Sequence, residues 1–197
     1  MQFSRWLIFG MVAMFLGSSL GANKPEDDKS VMDGVRMTVV IPERIEMPAS
    51  GGASDFEIGL RIENRTAEED DLVFDLFDTV RPVLKDAKGE QRPLDGGRDG
   101  TRVPKPMPVK ARQAETVTYP ARLTLAPGAK TEELVIDDLT GGIWVYHDLM
   151  PGRFTFSLEY THPPEGRVAQ PGRWVGAAKT KPVEFVIGAR KDAKGSE

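Results

Sequence analysis

The feature that most constrains this chain is the two-residue alternation that follows Pro151-Gly152. Phe154, Phe156, Leu158 and Tyr160 fall on one side of an extended segment, and Arg153, Thr155, Ser157 and Glu159 on the other. A strand with one buried and one wet face needs this period, and a helix cannot present it as a single apolar stripe. The pattern recurs upstream: Phe56, Ile58, Leu60 and Ile62 alternate with Glu57, Gly59, Arg61 and Glu63, and Val35, Met37, Val39 and Ile41 with Arg36, Thr38 and Val40. No stretch sustains a 3.6-residue period over three turns. Many short strands between Pro/Gly turns predict an all-β chain folded as a sandwich or a barrel.

In chain order, the first strand ends at Pro42, which places it at an edge. The second runs to Asn64, and the third begins at Leu72 with Leu72, Phe74 and Leu76 inward and Asp75 keeping the opposite face polar. A fourth, over 81–85, turns at Asp86-Ala-Lys-Gly89, where Asp followed three places later by Gly suits a type I turn and a hairpin. Residues 94–112 form a long Pro/Gly-rich loop, expected to cross between sheets. Two strands then flank Pro120, one ends at Asp137-Asp138, and a short aromatic one covers 143–146. The final strand covers 183–187.

The N-terminus carries Arg5, an apolar run over 6–16 and then small residues, the layout of a secretory signal peptide over 1–22. The run falls short of the ~20 apolar residues that span a bilayer, so no transmembrane span is expected after cleavage. Residues 23–33 read as a polar, disordered leader, 34–189 as a single domain, and 190–197 as a charged tail. Against 30 acidic residues the chain has 26 basic ones, for a net charge of −4, and loss of Arg5 with the leader peptide makes it more acidic. That balance argues against nucleic acid as a partner. The absence of cysteine excludes disulfides, thiolate metal sites and thiol nucleophiles, and leans towards a bacterial periplasmic or extracellular setting.

Three local patterns carry a resemblance: Leu60-Arg-Ile-Glu-Asn64 before a polar turn and Val73-Phe74, Leu123-Thr-Leu-Ala-Pro-Gly128, and Leu149-Met-Pro-Gly-Arg-Phe154. Together they resemble bacterial secreted immunoglobulin-like domains similar to the BsuPI-type proteinase-inhibitor fold. The resemblance implies an immunoglobulin-like antiparallel β-sandwich and a binding or inhibitory module. It transfers no site residue, and the Cys–Trp–Cys pattern of true immunoglobulin domains is missing.

The chemistry-bearing residues are few. His147 and His162 flank the organising strand and, with Asp148, Glu159 or Met150, could supply a metal site; two surface loop histidines are the simpler reading. The acidic turns at 68–71 and 137–138 lack the Asp-x-Asp-x-Asp-Gly spacing of a calcium loop and read as solvated strand ends. Asn64-Arg65-Thr66 is formally a glycosylation sequon but reads as an ordinary turn. No nucleophile elbow, phosphate loop or zinc-protease motif occurs, so no enzyme and no cofactor is expected. The candidate interaction surface comprises Pro104, Met107 and Pro108 in the Pro-rich loop, the edge over 80–85 where an extended partner could add as a strand, and Trp144 and Trp174 if exposed. If buried, the two indoles close the core. The expectation is an exported, non-catalytic binding or protein-interaction module whose partner is another protein or a cell-envelope polymer. The alternatives are a carbohydrate- or metal-binding accessory protein and a structural subunit of a surface or secretion assembly.

Overall fold

The computed structural model describes residues 31–32, 34–66, 71–76, 79–96, 102, 105–162 and 172–189. The signal-peptide segment, leader residues 23–30, the acidic residues 68–70, Pro104 and the tail 190–197 lie outside them. The described residues hold thirteen strands and no helix, so the chain is all-β. The strands are β1 (Val31–Met32), β2 (Val35–Val40), β3 (Arg44–Glu46), β4 (Ala53–Asn64), β5 (Leu72–Phe74), β6 (Val80–Asp86) and β7 (Met107–Val109). They continue with β8 (Ala114–Thr124), β9 (Glu132–Asp137), β10 (Ile143–Leu149), β11 (Gly152–His162), β12 (Gly176–Lys179) and β13 (Val183–Gly188).

One sheet has six antiparallel strands in the order β1-β2-β4-β8-β9-β10. The first residues that interrupt the polar leader, Val31 and Met32, belong to it, paired with Val35 and Arg36 around Gly34 at φ 74°. The pairing of β4 with β8 runs unbroken from Ala53↔Thr124 to Glu63↔Ala114. The two strands expected on either side of Pro120 are therefore one. Proline is tolerated there because β9 pairs with β8 only from Ala121 onward, so the missing N–H falls where that flank has no ladder.

The second sheet is built on β11, the alternating stretch that dominates the sequence. β6 lies along one flank, from Phe154↔Asp86 to Tyr160↔Val80. On the other flank β13 pairs with 152–156 and β12 with 159–162, both antiparallel to β11, as one strand interrupted between them. At the interruption Thr180 substitutes for the ladder: its N–H donates to the Leu158 carbonyl (3.0 Å) and its hydroxyl accepts from the Leu158 N–H (2.9 Å). β3 adds to β13 in the one parallel pairing among these strands. Phe154, Phe156, Leu158 and Tyr160 are buried as their spacing requires. They share one apolar cluster with Val35, Met37, Ile58, Leu60, Ile62 and Leu134 of the six-stranded sheet. Full burial of such side chains contributes about 1.5–3 kcal/mol each. Phe154 stacks on Phe185 at 5.7 Å between ring centroids.

The turn at Met150-Pro151 is a crossing between sheets rather than a hairpin, since β10 belongs to one sheet and β11 to the other. Asp148 makes the bend at φ 55°, a region that aspartate tolerates better than most residues, and the β9–β10 register shifts between Tyr146 and Leu149. The turn after β6 forms as its residues predict. The Gly89 N–H donates to the Asp86 carbonyl (2.9 Å), Gly89 adopts φ 81°, and the Asp86 carboxylate accepts from the Lys88 and Glu90 N–H groups.

Several polar residues sit where alternation or loop chemistry suggested water. Asp75 is buried and pairs with Arg173 at 3.5 Å, and its carbonyl accepts from the Tyr160 hydroxyl at 3.1 Å. Ser157 is buried on the face expected to be wet, and His162 is buried at the end of β11 rather than lying in a surface loop. Asp138 is buried as well: its carboxylate accepts from the Thr140 N–H (2.8 Å), the Thr140 hydroxyl (2.8 Å) and the Gly142 N–H (3.0 Å). This acid organises its own turn.

After the β6 hairpin, residues 90–96 run from the edge of one sheet to the edge of the other. The Arg92 N–H donates to the Leu84 carbonyl of β6 (2.8 Å), and Asp95 exchanges two backbone hydrogen bonds of 2.8 Å with Val145 of β10. The Arg92 guanidinium reaches the carbonyls of His147 (3.4 Å) and Asp148 (3.2 Å). Gly96 takes φ 97° against β10; a Cβ there would lie 2.1 Å from the Ile143 carbonyl oxygen, so only glycine fits. The start of the long 94–112 loop is thus a clasp across the seam.

Candidate functional site

The residues singled out for interaction do not converge. Met107 is half-buried against the core within β7, where it pairs with Phe74, and Pro108 beside it is exposed opposite Val73. Pro104 lies outside the described residues. Trp174 is buried, with ring centroids 5.5 Å from Phe74 and 5.3 Å from Tyr160, so it closes the core. Trp144 packs on Tyr119 at 5.8 Å, remains only half-buried, and belongs to the other sheet. The edge over 80–85 is occupied in part: Gln91 bridges Lys85, the Leu84 carbonyl is taken by Arg92, and the Asp86 N–H donates to the Glu90 carbonyl. Pro82 offers no N–H. That edge does not present the row of free groups that strand addition requires.

The histidines are separated in environment as well. His147 is exposed on β10, its Nδ1 2.9 Å from Glu133 Oε1 and its Nε2 3.5 Å from Asp95 Oδ2. The Glu133 hydrogen bond and the nearby Asp95 charge raise its pKa. The carboxylates approach opposite ring nitrogens, so they brace the imidazole and cannot join one nitrogen around a single cation. Among the described residues no group of three His, Asp or Glu side chains is placed to hold a metal ion. The sequon is engaged as structure: the Asn64 Nδ2 donates to the Val109 carbonyl (3.1 Å), and its Oδ1 accepts from the Thr66 N–H and hydroxyl.

Trp144 opens onto a cleft of about 580 Å³ in the seam between the sheets, beside the clasp. β6 contributes Val80 and Arg81, β11 contributes Glu159 and Thr161, the clasp contributes Leu94 and Gly96, and the turn after β9 contributes Asp138 and Thr140. Tyr119 supports the indole from behind; burial pushes its phenol well above the usual range, so it is a neutral hydroxyl. Arg81 and Glu159 are cross-strand partners on one face, yet Glu159 accepts a 2.7 Å bond from Lys179, and Arg81 forms no ion pair among the described residues. The sequence marks Trp144 through its aromatic run. It marks Arg81 only as part of the 80–85 edge and gives no sign of Thr79 or Thr161, because the seam brings them together from segments far apart in the chain.

A second groove of about 790 Å³ crosses the outer side of the six-stranded sheet and is lined by Asp55, Glu57, Pro120, Arg122, Asp137 and Ile143. Its one ion pair among the described residues, Arg122 with Asp55 at 3.6 Å, is exposed on both sides and of little energetic weight. No helix among the described residues is long and apolar enough to cross a membrane.

No protein-family model matches the chain, and no curated protein does. Among solved structures, the chain is similar to one described as AvmM, which catalyses macrocyclization in alchivemycin A biosynthesis. The identity is 11%, the match covers 83% of this chain and 94% of that one, and the TM-score of 0.27 is too low to bear on fold or chemistry.

Proposed function

We propose that this chain is an exported, non-catalytic binding module on an immunoglobulin-like sandwich, similar at the level of fold to the BsuPI-type domain, with the Trp144 cleft as its ligand-facing surface. The observation that carries this reading is the state of the carboxylates in that cleft. Asp138 is spent on ordering its own turn through Thr140 and Gly142, and Glu159 is paired with Lys179, which favours a binding role over a catalytic one. What remains is a half-exposed indole, a guanidinium with no ion pair among the described residues and the exposed Thr161, a set suited to holding a ligand. The two sheets share a single apolar core, which supports a sandwich frame that keeps the cleft walls fixed.

The test is a fluorescence titration of the purified protein with fractionated envelope polymers and envelope proteins. Trp174 is buried, so Trp144 is the emitter of the pair that a cleft ligand reaches. A saturable emission change that is lost in Trp144→Ala, with the ligand recovered chemically unchanged by mass spectrometry, is expected. Recovery of a chemically altered ligand would overturn the non-catalytic reading. N-terminal sequencing of protein from its native source is expected to find a start at residue 22 or 23, and an intact Met1 would remove export.

A further inference from the structure

We propose that the ligand of the seam cleft is a short, uncharged saccharide stacked on Trp144. This rests on the binding-module reading above and assigns the ligand its chemistry. Four observations select it. First, the cleft volume of about 580 Å³ lies inside the range of roughly 300–1,000 Å³ typical of small-molecule sites.

Second, the lining is mixed in a particular way. The Trp144 indole is held by Tyr119 at 5.8 Å and offers a flat apolar surface. Around it stand a guanidinium (Arg81), a carboxylate with one oxygen bonded to Lys179 (Glu159) and the exposed Thr161, while the Thr79 hydroxyl is buried and donates to the Asp75 carbonyl. Sugar rings present the complementary surface: apolar C–H faces for an aromatic ring, and hydroxyls that both donate and accept. Those hydroxyls match a donor-only guanidinium and an acceptor-only carboxylate placed close together.

Third, the charges favour neither sign of ligand. Arg81 shares its strand face with Glu159, and the buried Asp138 lines the same cleft. Arg81 and the Lys179 bonded to Glu159 balance these two carboxylates, so the cleft carries no excess charge and suits a neutral polar molecule. Fourth, an extended peptide has no backbone to pair with. At the seam the β10 edge is held by the Asp95–Val145 bonds and by the Arg92 guanidinium on the His147 and Asp148 carbonyls, and the β6 edge by Arg92 and Glu90.

The experiment titrates the purified protein with glucose, galactose, N-acetylglucosamine, maltose and chitobiose, reading tryptophan emission and, independently, isothermal calorimetry. At least one sugar is expected to give a saturable blue shift and a matching heat. Arg81→Ala should weaken that binding roughly 10- to 100-fold, because a charge-assisted hydrogen bond is lost. Arg81 is exposed, so this variant tests the cleft without threatening the core. Trp144→Phe, which keeps an aromatic face, should retain more affinity than Trp144→Ala.

If no sugar produces heat or shift while an envelope protein gives a saturable Trp144 response, the saccharide assignment is overturned and the binding-module reading stands. If nothing in either class perturbs Trp144, both fall. Sugar binding that survives Arg81→Ala and Trp144→Ala unchanged also overturns the assignment, since it places the sugar elsewhere.

Discussion

Glu132 opens β9 fully buried, opposite Leu149 across the β-bulge, and neither carboxylate oxygen finds a hydrogen-bond partner. Burial pushes its carboxyl above the ordinary glutamate value, opposed more weakly by the pull of its own backbone N–H. The folded state therefore holds this proton more tightly than the unfolded chain. Its contribution to stability is complete below the unfolded glutamate value, about 4.3, and is lost as pH rises through the higher folded value. That direction is opposite to the usual salt-bridged carboxylate. Leaving a buried polar group unsatisfied costs about 1–3 kcal/mol. Glu132→Leu removes the group, and for a chain of this size the gain corresponds to a Tm increase of roughly 2–12 °C near neutral pH. The assay is thermal unfolding by circular dichroism at pH 5 and pH 7.5 for the wild type, Glu132→Leu and Glu132→Gln. The advantage of the leucine variant should be larger at pH 7.5 than at pH 5, and Glu132→Gln, which cannot ionise, should remove the same pH-dependent component. If Glu132→Leu lowers Tm at both pH values, the carboxyl has a stabilising partner and the reasoning fails.

Three further outcomes follow from the geometry. Gly96→Ala should cost about 2 kcal/mol or more by driving a Cβ into the Ile143 carbonyl at a positive φ, and hydrogen exchange at the Val145 amide should accelerate as the clasp leaves β10; unchanged protection would refute the clasp. Asp138→Ala strands the Thr140 and Gly142 N–H groups in a buried turn and should lower stability by about 2–4 kcal/mol in urea unfolding, whereas an effect within error would mean those groups find water. His147 should titrate above the ordinary histidine value by NMR, with Glu133→Gln lowering it. Its small contribution is present below the unfolded value and lost as pH rises through the folded one, and added salt should erode it because the site is exposed.

How far the sequence speaks depends on what each pattern encodes. Alternation encodes a face, so Ile58, Leu60, Ile62, Phe154, Phe156, Leu158 and Tyr160 were all legible as core. Local turn chemistry is legible too, as Asp86–Gly89 shows. Alternation does not encode the neighbour. Nothing in Ile143–Leu149 and Gly152–His162 says that consecutive strands part into different sheets, and Pro120 read as a break because the reach of β9 along β8 is a tertiary fact. Polar residues mislead for the same reason: Asp75, Asp138, Ser157 and Glu132 are buried by elements distant in the chain. The candidate site was half visible. Trp144 stood out as an aromatic, and the residues around it are assembled only by the seam.

The parallel pairing of β3 with β13 sets an order on the birth of this fold. Arg44 and Val186 lie about 140 residues apart, so their closure carries a large loop-entropy penalty and belongs among the slow, non-local events of folding. The antiparallel run β2-β4-β8-β9 is complete once the chain reaches Asp137, whereas β11 emerges afterwards and its flank is filled only when Val183–Gly188 arrives. A growing chain thus holds one finished sheet with its apolar face waiting for the other. That interval is when the protein is most exposed to aggregation or to a chaperone, and C-terminal truncation before Gly188 would make the interval permanent.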